Sequence, residues 1–268
     1  MSKIYHYTSI ESLALILKNK TIRFSRLDKV DDIEESCYLS GPTKTNMGQY
    51  IFVSCWTREQ AEILPMWKMY TDYQGVRICF DEDLFIVKDE TYGVEREFFV
   101  LPDQVKDCEL TLFQNEAKLQ EVHYVENVEQ EINKLIEVDS EDKIRILFRN
   151  AGIYKRKDWE FQKEHRFKIV VTPIANEKFT IGLSGNLLFN FWEEFMKFQY
   201  NNIKCMIKNI PIKETYIDIP FNPNILKTME ITLGPRISTG GKEIVEELLD
   251  KYKDIKVYNS IFHGKIRR

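Results

Sequence analysis

From Phe161 to Val171 the chain alternates. Gln162, Glu164 and Arg166 fall on one parity and Phe161, Phe167, Ile169 and Val171 on the other, so a strand here sends three polar groups to one face and apolar groups to the core. Strands are also predicted for KIYHYT (3–8), TIRFSR (21–26), QYIFVSCW (49–56), GVRICFD (75–81), MEITLG (229–234) and IKVYNSI (255–261). Between the first two, Ser9 caps a predicted helix with an apolar stripe of Ile10, Leu13, Leu15, Ile16 and Leu17. Residues 59–72 read as helical with Pro65 near the start, and 127–138, 140–154, 186–203 and 242–252 also read as helices. The expectation is an α+β fold with mixed or antiparallel sheets and flanking helices. It forms one domain over 1–268 with a helical insertion near 127–155, and the helices are too irregularly spaced for a doubly wound parallel sheet.

Composition narrows the function without naming it. The 268 residues are 43% hydrophobic, enough for one substantial core, and a formal net charge of −4 argues against a generally basic nucleic-acid surface. The cysteines (Cys37, Cys55, Cys79, Cys108, Cys205) are scattered with no C-x-x-C pair, as in reduced core positions. Neither a signal peptide nor a membrane-length apolar run is present, so a cytoplasmic protein without membrane contact is expected.

Familiar chemistries fail on spacing. In GPRISTGGK (234–242) a phosphate loop would need glycine where Arg236 stands and Ser or Thr where Glu243 follows Lys242, so a turn before a helix is expected. His6, His123, His165 and His263 do not pair with each other or with cysteine at ligand spacing, so no metal is expected. No G-x-S-x-G elbow occurs. In YHYTS, His6 and Thr8 share one strand face, Tyr5 and Tyr7 the other, just ahead of a helix N-terminus. Such a strand end can hold a ribose or polar ring, and equally can be core packing. The polar row at 162–166 is, by itself, also what a solvated strand face carries.

An ordered set of motifs adds to this: His6-Tyr7-Thr8, Phe24-Ser25-Arg26, Asp32, Glu35, Val53-Ser54-Cys55, Met66-Trp67 with Tyr70, Gly75-Val76, Lys155, Trp159, Glu164, Arg166 and Leu233-Gly234-Pro235. In order and spacing the set resembles a widespread uncharacterised bacterial family that is itself thought to resemble ADP-ribosyltransferases. Two positions depart from that pattern: Ile33 stands where proline is frequent, and Gln162 where glutamate is usual. Gln162-x-Glu164 is nevertheless similar to the Gln-x-Glu of one group of ADP-ribosyltransferase toxins. The resemblance implies NAD as substrate, with ADP-ribose passed to an unidentified protein or nucleic acid or to water. It also implies Glu164 as catalytic carboxylate and Gln162 beside it. His6, Tyr7, Thr8, Arg26, Ser54, Trp67, Tyr70 and Arg166 are the implied NAD-binding set, with Arg26 the preferred phosphate partner. A toxin or antiviral role suits such chemistry by analogy. Trp67 and Tyr70, three apart on a helix, make either an aromatic wall or core anchors. The alternative is a non-catalytic sensor of nucleotides or nucleic acids. EREFF (95–99) offers a rival pair, Glu95 and Glu97, without a flanking tryptophan.

Overall fold

The computed structural model describes the chain apart from residues 1, 37, 41–42, 86–87, 90–95, 98–109, 115–116, 139–143, 174–196, 199 and 268. Ten strands form its main sheet: β1 (Lys3–Thr8), β2 (Thr21–Arg26), β3 (Ile51–Thr57), β4 (Val76–Asp81), β5 (Leu110–Gln114), β6 (Gln120–Glu121), β7 (Glu164–Pro173), β8 (Tyr216–Pro220), β9 (Glu230–Leu233) and β10 (Lys256–Asn259). The main path runs β6-β7-β3-β1-β4-β9-β10, while β5 extends along the far half of β7 and β2 links β3 to β8. Among the described residues only the β9–β10 pairing is parallel within this sheet. The mixed sheet with helices agrees with the expected α+β class.

Local chemistry sets the helix ends. The Ser9 hydroxyl accepts from the Ser12 amide at 3.1 Å and starts α1 (Ile10–Asn19), whose Leu13, Ile16 and Leu17 are buried; Leu15 lies outside the stripe, 48% exposed. Pro65 lies in the first turn of α2 (Leu64–Thr71), where a missing amide proton costs nothing. The GPRISTGGK segment is a capped turn: Ser238 accepts from the Gly241 amide at 3.0 Å and opens the helix Thr239–Leu249.

Two expectations change and one falls largely on undescribed residues. The insertion near 127–155 is not helical throughout: α3 (Val128–Asn133) is short and is followed by antiparallel strands Ile136–Val138 and Ile144–Ile146 and a 3-10 turn at Phe148–Asn150. The β-branched residues at 136, 138, 144 and 146 alternate with charged ones, and this period of two prevails over the helical reading. Most of the helix expected over 186–203 lies outside the described residues, although 200–207 is helical. Finally, β7 begins only at Glu164. Residues Lys157–Gln162 form a 3-10 helix and Lys163 is left-handed, so Phe161 and Gln162 are not part of the strand's alternation. Nor is the row a solvated face, since Glu164 is 4% and Arg166 0% exposed.

The sheet also forks. β3 gives one edge to β7, from Ile51 opposite Val170 to Thr57 opposite Glu164. Its other edge is shared: β1 meets it at Thr57 and β2 at Val53 and Phe52. Among the described residues, no strand is in register with Ser54, Cys55 or Trp56 on that side, and a cavity opens there.

Candidate functional site

The fork leaves backbone groups to be satisfied, and a side chain does so: His6 Nδ1 donates to the Cys55 carbonyl at 2.8 Å. A carbonyl can only accept, so the proton is on Nδ1 and Nε2 remains an acceptor in the neutral ring. Burial lowers the His6 pKa, against the opposing effect of this hydrogen bond, and favours that neutral form. The imidazole packs on Trp56 with centroids 5.1 Å apart.

The cavity measures about 230 Å³. Lys155, Glu164 and Arg166 line it and, with Glu35 behind them, form a buried quartet of charges. Arg166 grips Glu164 with two nitrogens, Nε to Oε1 at 2.6 Å and Nη2 to Oε2 at 3.1 Å. Lys155 Nζ lies 3.1 Å from Glu164 Oε2 and 3.3 Å from Glu35 Oε1, and Arg166 Nη1 donates to Glu35 Oε2 and, at 2.9 Å, to the Gly152 carbonyl. Gly152 has a φ of 75°, a left-handed conformation suited to glycine. Two carboxylates thus face two cations among buried side chains.

The two carboxyls titrate apart. Burial opposes the charge on Glu164, yet Arg166, Lys155 and hydrogen bonds from Arg166 and the Cys55 thiol outweigh it and hold the group down to about 2. For Glu35, burial prevails over the attraction of Arg166 and Lys155 and raises its pKa. Burial, reinforced by the charge of Glu164, pushes the Cys55 thiol well up, so it stays protonated and donates. The strand start is pinned on its other side by Tyr124, whose hydroxyl accepts from the Glu164 amide at 2.8 Å. Trp159 stands over the Lys155 ammonium, with the ring centroid 4.9 Å away.

A second wall is neutral. Gln162, 1% exposed, donates through Nε2 to the Tyr70 hydroxyl at 2.7 Å, and Tyr70 in turn donates to Asp31 Oδ2. Burial and the Asp31 carboxylate push the Tyr70 phenol far up, so it keeps its proton. Gln162 Oε1 is buried and has no hydrogen-bond partner among the described residues. Ser54 accepts from Trp56 Nε1 at 2.9 Å.

Of the residues singled out from sequence, His6, Tyr7, Ser54, Tyr70, Gln162, Glu164 and Arg166 line this one cavity. Arg26, Thr8 and Trp67 do not. Strand alternation sends Arg23 and Ser25 to the cavity and Arg26 to the opposite face, where it pairs with Asp28 at 2.7 and 3.2 Å and donates to the Ile212 and Glu214 carbonyls. The guanidinium of Arg26, for which a phosphate role was expected, thus lies away from the cavity and already has partners. Thr8 lies on an adjoining cleft, which shares His6 and Arg23 with the cavity, beside Ser12 and Asp218. Trp67 is fully buried, edge-on to Tyr7 and hydrogen-bonded to Glu62, and is a core anchor. Glu95 lies outside the described residues. Sequence reasoning gave no role to Glu35, Lys155, Cys55 or Tyr124; the first three carried a signal as motif members, and Tyr124 carried none.

Residues 66–167 match the model of a family described as a protein of unknown function, DUF2971, which covers less than half of the chain. No curated protein matches. Among solved structures, Thermus sp. 2.9 DarT in complex with carba-NAD+ aligns over 97% of this chain and 96% of that one, at 11% identity and a TM-score of 0.29. A score that low carries no weight for fold or function. Among the described residues no helix is long and apolar enough to cross a membrane, and no group of three or more His, Cys, Asp or Glu is placed to hold a metal ion.

Proposed function

We propose that the cavity binds NAD and that the protein transfers ADP-ribose from it to a macromolecule or to water. One observation carries this reading: side chains from β1, β3, α2 and the start of β7, distant in sequence, converge on a buried carboxylate that stays ionised. The volume suits one ring-bearing end of a dinucleotide, with the remainder running outward past Lys29 and Arg23 at the exposed rim.

Breaking the bond between nicotinamide and ribose leaves the electron pair on the nicotinamide nitrogen and positive charge on the ribose. An anion fixed nearby in a dry site favours that charge more than it favours the ground state. Glu164 fits this role through its field rather than as a base, because Arg166, Lys155 and Cys55 hold its oxygens and its proton affinity is low. Arg166 is a positioning residue: its side-on grip fixes the carboxylate plane.

A second reading, a nucleotide-binding protein without turnover, is favoured by the pairing itself: two cations offset the two carboxylates and blunt the field. Release of nicotinamide from NAD by wild type and by Glu164→Gln separates the two. The enzyme reading expects release that falls about 100-fold or more in the variant. Tight NAD binding without release by wild type selects the sensor, and absence of NAD binding removes both readings.

A further inference from the structure

The neutral wall is directional. Asp31 can only accept, so Tyr70 spends its one hydroxyl proton on it. The Tyr70 oxygen then accepts from Gln162 Nε2 at 2.7 Å; a flipped amide would set carbonyl oxygen against hydroxyl oxygen with no proton between them. Gln162 Oε1 is thereby turned to the role of a buried acceptor with no partner among the described residues. His6, fixed as the Nδ1–H tautomer by the Cys55 carbonyl, lines the same cavity and keeps Nε2 as a second neutral acceptor. An acceptor left dry is costly, and a ligand donor relieves that cost. The aromatic surfaces of Tyr7, Trp56 and Tyr70 around these groups fit a flat ring.

We propose that the Asp31–Tyr70–Gln162 chain sets the hydrogen-bond polarity of the cavity, so that Gln162 presents only its carbonyl and the site selects a planar ligand group bearing an NH2 donor. The inference rests on the nucleotide reading and sharpens it. Tyr70 and Asp31 act through Gln162 and are positioning residues. NAD carries the required chemistry at two places, the nicotinamide carboxamide and the adenine amine.

The test is calorimetric titration of the full chain with NAD, with nicotinic acid adenine dinucleotide and with nicotinamide hypoxanthine dinucleotide. Wild type is expected to bind NAD at least about tenfold more tightly than one of the two analogues, and the analogue that fails identifies which end enters. In Tyr70→Phe and in Asp31→Ala that preference is expected to shrink to less than about threefold, because the amide is then free to turn. Asp31 is exposed, so its variant tests the chain without touching the core. Equal binding of all three ligands by wild type would overturn the inference and leave the nucleotide reading standing. A preference that survives unchanged in both variants would overturn it too. Failure of all three to bind overturns the nucleotide reading and the inference with it.

Discussion

The two polar walls of the cavity spend their hydrogen bonds differently. On the charged wall Glu35, Lys155, Glu164 and Arg166 are ion-paired with one another, Arg166 also reaches the Gly152 carbonyl, and the one carboxylate oxygen there without a hydrogen bond among the described residues, Glu35 Oε1, still lies 3.3 Å from the Lys155 ammonium. On the neutral wall Gln162 retains an oxygen without a partner among the described residues, and His6 an unprotonated nitrogen. Buried charges cannot be left unpaired at tolerable cost, whereas a neutral acceptor can wait for a ligand. The strongest groups are therefore devoted to holding the site, and selection falls to the weaker ones.

The sharpest way to break this division is Arg166→Met, which leaves two buried carboxylates facing Lys155 alone. Loss of one partner from a buried ion network costs about 3–5 kcal/mol, read as a lower denaturant midpoint. An unchanged midpoint would show that the quartet does not hold the fold. Acid is the next lever. Glu164 is held below its unfolded value of 4.5, down to about 2, so its stabilisation is complete above about pH 4.5 and is lost as pH falls toward about 2. Glu35, raised by burial, has the opposite sign: its contribution is present at low pH and is lost as pH rises through its folded value. Thermal midpoints of wild type should therefore drop across pH 4.5 to 2 more steeply than those of Glu164→Gln, and parallel curves would remove Glu164 as the depressed carboxyl. A smaller effect belongs to Tyr124→Phe. It strips the Glu164 amide of its acceptor and is expected to cost about 1–3 kcal/mol in chemical denaturation.

The contrast between the walls also governs what was legible in the sequence. Strands with plain alternation, such as Thr21–Arg26 and Glu164–Pro173, and the helix capped by Ser9 were readable because their signals are local. The positions of Gln162, Glu164 and Arg166 were readable in kind, yet the parity argument placed Gln162 on the strand when a left-handed Lys163 separates the two. Arg26 shows the opposite failure: its residue type suited phosphate, and the alternation of β2, had it been applied there, would have turned it away from Ser25. The pairing of Glu35 and Lys155 with Arg166 joins segments that no periodicity connects, and the fork between β1 and β2 depends on long-range register.

The mildest test lies at Ser54, which belongs to the neutral wall but has already spent its acceptor on Trp56 Nε1. If that bond is the residue's main role, Ser54→Ala leaves a buried indole N–H without its partner and costs about 1 kcal/mol of stability, while NAD affinity changes less than it does in Gln162→Leu. If instead the Ser54 hydroxyl proton is what the cavity offers a ligand, the order reverses: affinity falls at Ser54 first and stability barely moves. Paired titrations and melts of the two variants read both quantities. The reversed order would mean that the neutral wall donates as well as accepts, which would shift the division between the walls from paired against unpaired to charged against uncharged.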